Sequence, residues 1–300
     1  MTLSETLISL VLTLMVTSTA MALVTPATRA SIIQPEAMDV QQRARVSADL
    51  IARDLSAAGI GVYAGSQPGF SPLLPGVLPR QLGVTGDSPD IGSADAITII
   101  SVPATSAQTT SASVVSPALQ TLTVNASPNC GGAVLCGLTA GKDVLLADAA
   151  GHFDIFRITS VTGVSAALRY HGQSLGFSYP AGSVVAEVVS RTYSLDAATK
   201  IVRQYDGDLS DQPAADHISS LTFDYFGDDV AGPGLVPIDR ASLADGPWLG
   251  AGSSRFDADL LRVRMVRVSV RAEASAAAMR AGAPDVVVRV DVAPRSLGIR

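Results

Sequence analysis

The sequence opens Met1-Thr2-Leu3-Ser4-Glu5 and continues over 6–24 as TLISLVLTLMVTSTAMALV, without one charged side chain. Wound as a helix rising ~1.5 Å per residue, those nineteen residues extend about 28 Å, close to the ~30 Å hydrocarbon thickness of a bilayer. The stretch reads as a membrane-spanning helix over 1–28. Glu5 is the anomaly in it. A lone carboxylate one turn into an apolar span costs on the order of 2.5–3.5 kcal/mol in lipid unless it finds a partner, so it marks a functional position.

Working outward, Pro26 and Pro35 interrupt the pattern, and each predicts a kink or short break. Beyond them a helix resumes over 36–58. Val40, Ala44, Ser47, Ile51, Leu55 and Ala58 share one face at three- and four-residue steps, while Arg45, Asp49 and Arg53 line another as i,i+4 pairs. Gly59 is placed to cap it. The chain therefore divides into a span (1–28), an amphipathic continuation of the same spine (29–59) and a β-rich globular domain (60–300).

In that domain, 60–95 is rich in Pro and Gly and reads as a long loop or a set of turns. Strand signals begin at 96–102 and recur at 122–124, 143–147, 153–161, 184–189, 191–195, 201–205, 218–226, 260–272 and 286–292. Leu221, Phe223 and Tyr225 alternate with Ser220, Thr222 and Asp224, and Val288, Val290 and Val292 with Arg289 and Asp291, the pattern of half-buried antiparallel sheet. The alternation in the Arg-rich strand changes phase at Met265 and Val266, as a β-bulge makes it do. Asp196-Ala-Ala-Thr199 joins two strands as a tight hairpin. The Ser/Thr/Ala-rich segment 104–116 reads as a flexible surface excursion. Helix first and strands after gives the fold class α+β, a long N-terminal helix packed on an antiparallel sheet domain.

Thr2-Leu3-x-Glu5 opening an uninterrupted apolar helix resembles the start of mature type IV pilins and type II secretion pseudopilins, with Met1 where those proteins carry an N-methylated first residue. Ala48-Asp-Leu-Ile-Ala-Arg-Asp-Leu-Ser-Ala-Ala-Gly59 resembles the helix end of PilW-like minor pilins. Tyr179-Pro-Ala-Gly-Ser183, Arg191-Thr-Tyr193, Ile218-Ser-Ser-Leu-Thr-Phe-Asp-Tyr225, the Arg-rich strand from Leu260 and Ala293-Pro-Arg-Ser-Leu297 resemble the C-terminal half of PilW-like and J-type subunits. The middle of the chain matches nothing in that pattern. The resemblance implies a non-enzymatic minor subunit at or near the tip of a pilus or secretion pseudopilus, with Met1, Thr2, Leu3 and Glu5 as its assembly residues. It further implies other minor and major pilins, a prepilin peptidase, an inner-membrane assembly platform and the membrane itself as partners. The chain would be anchored in the inner membrane with a periplasmic domain, then displayed on a cell-surface fibre. Glu5 would meet the N-terminal amine of a neighbouring subunit, which also answers the physical need of a carboxylate in apolar surroundings for a cation.

Two other readings of the N-terminus stay open. The first basic residue is Arg29, on the far side of the span, so the pilin reading expects basic codons ending in Gly upstream in frame. A cleaved signal peptide would need Thr17-Ser18-Thr19-Ala20 as its cleavage site. The runner-up function is a membrane-anchored exported ligand-binding domain that does not polymerise.

Net charge −6, pI about 5.0 and no basic block argue against nucleic acid as main partner. Cys130 and Cys136, with no further Cys or His within ten residues, favour a disulfide over a metal site. Asp206, Asp208 and Asp211 on a Gly-containing turn are candidate Ca²⁺ ligands against the alternative of a solvated turn. Catalytic signatures are weak. Gly86-Asp-Ser88 has no Asp-x-x-His to supply its base, and His152, His171 and His217 lack zinc-site spacing.

Overall fold

A computed structural model describes residues 3–59, 75–82, 90, 92–103, 108–125, 130, 134–150, 152–170, 177–207, 210–228, 234–249 and 255–294. One helix, α1 (Leu3–Ala57), carries the N-terminus. It runs through Pro26 and Pro35 as a single element, without the break that the sequence allows there. A proline deletes one N–H···O bond, here to the carbonyls of Ala22 and Ser31, and the bonds of the turns on either side keep the helix continuous. Gly59 ends the helix as expected, with φ +70, and its N–H donates to the Ile100 carbonyl at 2.8 Å.

Val40, Ala44, Ser47, Ile51, Leu55 and Ala58 are all buried, and Arg45, Asp49 and Arg53 are exposed. The i,i+4 ion pair that closes on this stretch is Arg43–Asp39, at 2.7 Å.

The helix lies on a four-stranded antiparallel sheet in the order β13-β12-β16-β17: Leu235–Ile238, Ile218–Asp228, Val263–Ala272 and Val286–Val292. Leu221, Phe223 and Tyr225 pair with Val270, Val268 and Val266, which pair in turn with Val288, Val290 and Val292. These rows make the face beneath α1. A bulge places Arg264 between the Phe226–Met265 and Gly227–Val263 pairs, one residue from where the phase of the sequence changes. Gly227 is required there, since a Cβ would come within 2.7 Å of the Arg262 carbonyl oxygen and of Ile238. A short helix, α2 (Ala276–Ala281), connects β16 to β17 beside α1.

A five-stranded sheet follows the order β1-β2-β9-β10-β11: Val77–Leu78, Ala96–Ser101, Val189–Asp196, Ile201–Tyr205 and Asp211–Ala215. The β9–β10 turn is the expected hairpin, with Asp196 accepting from the N–H groups of Ala198 and Thr199. A two-stranded ribbon, β14 (Trp248–Leu249) with β15 (Phe256–Asp257), completes this part.

β2 and β9 are paired directly, Ser101 opposite Val189, although 87 residues separate them in sequence, from 102 to 188. That intervening chain forms a six-stranded sheet in the order β3-β8-β5-β6-β7-β4: Gln108–Thr110, Val184–Glu187, Asp143–Ala147, Phe153–Thr162, Ser165–Tyr170 and Thr121–Thr123. Its two outer strands meet. Ser111 bridges Val124, Ala112 N–H donates to Thr123 O and Asn125 N–H to Thr110 O, both at 2.8 Å, so the sheet closes on itself as a small barrel. Val144, Leu146, Phe156, Ile158 and Val185 point into it and share its core with Tyr179 and Leu135. Leu145, Ala147, Phe153, Ile155 and Ala186, on alternate positions of the same strands, point out into the core beneath α1. The predicted surface excursion 104–116 is thus corrected over its described part: Gln108–Thr110 are a barrel strand, and Thr109, Ser111 and Val115 are buried. Residues 75–82, expected as loop, include β1 and a buried Arg80.

Candidate functional site: the apolar helix and its attachment to the domain

The first half of α1 buries nothing. Every residue over 3–28 is exposed, Leu3 at 82%, and about a dozen of these are large apolar side chains. Left in water they would forgo ~1.5–3 kcal/mol each, on the order of 20 kcal/mol together. This surface is long and apolar enough to cross a membrane. The hydroxyls along it do not oppose that. Thr13, Thr17, Thr25 and Thr28 donate to the carbonyls four residues back at 2.8–2.9 Å, which satisfies them inside the helix.

Glu5 sits on the exposed surface of the first turn, where the helix dipole favours an anion. Leu3 begins the helix; Met1 and Thr2 lie outside the described residues.

The second half of α1 is fastened to the domain at three levels. At the near end, Glu36 accepts a hydrogen bond from the backbone N–H of Ser275, the residue that caps α2. That N–H, first among several contacts, holds the Glu36 carboxyl below its ordinary range. In the middle, Arg43 reaches Asp216 at 3.4 Å. At the far end, Asp54 is held by two groups of β9, the Arg191 guanidinium and the Tyr193 hydroxyl, each at 2.6 Å. The bond to Asp54 raises the pKa of Arg191, and burial, followed by that same carboxylate, raises that of Tyr193.

These contacts join segments far apart in sequence. Arg53-Asp54-Leu55 and Arg191-Thr-Tyr193 enter the sequence reading as separate motifs, and Asp54 and Tyr193 prove to be one contact. Sequence reasoning did not single out Asp54 or Glu36 as site residues. The available signal was Asp54's place on the border of the buried stripe, three residues after Ile51 and four before Ala58, where a carboxylate needs a partner.

Cys130 and Cys136 form a disulfide. It closes a loop in which Leu135 and Cys136 adopt positive φ and are buried, Leu135 in the barrel core. Of the candidate calcium ligands, Asp206 accepts from Ser210 N–H at 3.0 Å and lies 3.8 Å from Arg157, and Asp211 pairs with Arg203 at 3.1 Å. Asp208 lies outside the described residues, and no cluster of three or more His, Cys, Asp or Glu fit for a metal occurs among those described. His152 is bonded to Asp148 and stacked on Phe177, and His217 lies beside Asp216. His171 and Gly86-Asp-Ser88 are outside the described residues.

Comparison with family models, with curated proteins and with solved structures returned no match.

Proposed function

We propose that this chain is a minor pilin or pseudopilin, a non-enzymatic subunit incorporated at or near the tip of a type IV pilus or type II secretion pseudopilus, where it primes assembly. One observation carries the reading. A single 55-residue helix leaves an apolar half with an acidic residue at position 5 wholly unburied and seals its other half onto an antiparallel sheet. A plain membrane anchor needs the apolar half but has no use for Glu5 or for a helix continuous with the domain's core. A bundle of such helices uses both, the apolar surface for packing and Glu5 to receive a neighbour's terminal ammonium. On this reading the chain passes a prepilin peptidase and an inner-membrane platform and binds other minor and major pilins.

Glu5→Val tests it. The variant should insert in the inner membrane at wild-type levels and be lost, by tenfold or more, from sheared surface fibres probed with antibody to the globular domain. Unchanged recovery in fibres would remove the reading and leave the non-polymerising anchored domain.

A further inference from the structure

Among the described residues, β17 is an open sheet edge unlike the others. The barrel strands have no free outer edge, because β3 and β4 are joined through Ser111 and Val124. β1 is two residues long, β11 contains Pro213, and β13 contains Pro237. These are the devices by which sheets discourage a further strand. β17 has seven residues, five of them valine, with no proline, and no described strand pairs with its outer side.

Two observations say what would fit there. Val286, Val288 and Val290 face α1 and are only half-buried, whereas their partners on β16, Ala272, Val270 and Val268, are fully buried. The valine rows therefore stop one strand short of closure. On the outer face, Asp291 is matched bidentately by Arg267 at 2.7 and 2.9 Å, but Arg289 lies opposite Ser269 and no described acidic group pairs with it.

We infer that β17 accepts an antiparallel strand from another polypeptide, one with β-branched apolar residues on the α1 side and an acidic residue opposite Arg289. Main-chain bonds would supply the affinity and the alternate side chains the selectivity. A second copy of this chain is a poor occupant. Antiparallel pairing of β17 with itself requires a two-fold axis normal to the sheet, and that axis sends the two α1 helices in opposite directions. Copies anchored in one membrane by the apolar half of α1 cannot do this, and that exclusion rests on the membrane-anchored part of the proposed function.

The test uses full-length protein in detergent micelles and two fluorescent heptapeptides, Val-Lys-Val-Glu-Val-Thr-Val and Val-Lys-Val-Lys-Val-Thr-Val, titrated against protein and against empty micelles. The first places Glu opposite Arg289 and the second places a like charge there. The Glu peptide should bind saturably and at least about five times more tightly than the Lys peptide, in line with the size of cross-strand charge pairs. Arg289→Glu, an exposed substitution, should reverse that order, and β17 amides should gain protection from hydrogen exchange when the preferred peptide is bound. Absence of saturable binding, or binding whose order ignores residue 289, overturns the inference. So does a micellar dimer that Arg289→Glu dissociates, which would make a second copy the occupant. Fibre assembly plays no part in the readout. Glu5→Val protein should bind the Glu peptide normally, so this inference and the proposed function fail separately.

Discussion

Asp54 joins the spine helix to β9 through both carboxylate oxygens, one accepting from the Arg191 guanidinium and the other from the Tyr193 hydroxyl. Tyr193 is fully buried, so its hydroxyl has no water to fall back on. Removing the acceptor strands a buried donor, which costs the full desolvation of that group, whereas removing the donor leaves Asp54 still paired with Arg191. Asp54→Ala should therefore cost about 2–3 kcal/mol and lower the melting temperature in detergent by roughly 4–10 °C. Tyr193→Phe should cost under about 1.5 kcal/mol. Equal losses in the two variants, read by thermal circular dichroism, would mean that aromatic packing rather than the carboxylate joins helix to sheet.

At the scale of elements, the helix was the most legible part. Its apolar span and its buried face are written in periodicities of three and four, and every residue named for that face is inside the core. Several strands were legible too: Asp143–Ala147, Ile201–Tyr205 and Val286–Val292 have the bounds their residues imply. The strands that escaped are those whose pairing is a tertiary matter. β3 is three polar residues, β11 and β13 carry proline at a sheet edge, and β7 is built on small alanines. The link between α1 and α2 was illegible for the same reason, since Glu36 and Ser275 are 239 residues apart. That link carries a pH dependence. Glu36 has its pKa lowered on folding, so its contribution is present above the ordinary carboxylate range near pH 4 and is lost as pH falls through the lowered value. Amides of α2 should lose protection first as pH is brought from 6 to below 4, once exchange rates are corrected for pH. Glu36→Gln should remove most of that dependence. A wild-type α2 equally protected across the range would show that the Ser275 contact does not hold the helix pair together.

For the whole molecule, the barrel is an insertion in the β2–β9 hairpin. An insertion tied at one hairpin can fold as an independent bead, but this one has a strand face in each of two cores. Along β5, Val144 and Leu146 fill the barrel while Leu145 and Ala147 fill the core under α1, and β6 divides in the same way between Phe156 and Ile158 inside and Phe153 and Ile155 outside. Phe153 also lies against Phe256 of the β14–β15 ribbon, ring centres 5.9 Å apart. Loss of the barrel would strip one wall from the other core, so the two should unfold together. Trp248, the one tryptophan in the chain, stacks under Arg255 at 4.6 Å on that ribbon and reports the region outside the barrel. Phe156→Ala, a cavity wholly inside the barrel, should cost about 3–5 kcal/mol. If the cores are coupled as the strand faces require, the substitution shifts the Trp248 fluorescence transition and the far-ultraviolet dichroism transition in urea by the same amount. A Trp248 transition left at its wild-type midpoint while the dichroism splits in two would show instead that the barrel unfolds alone.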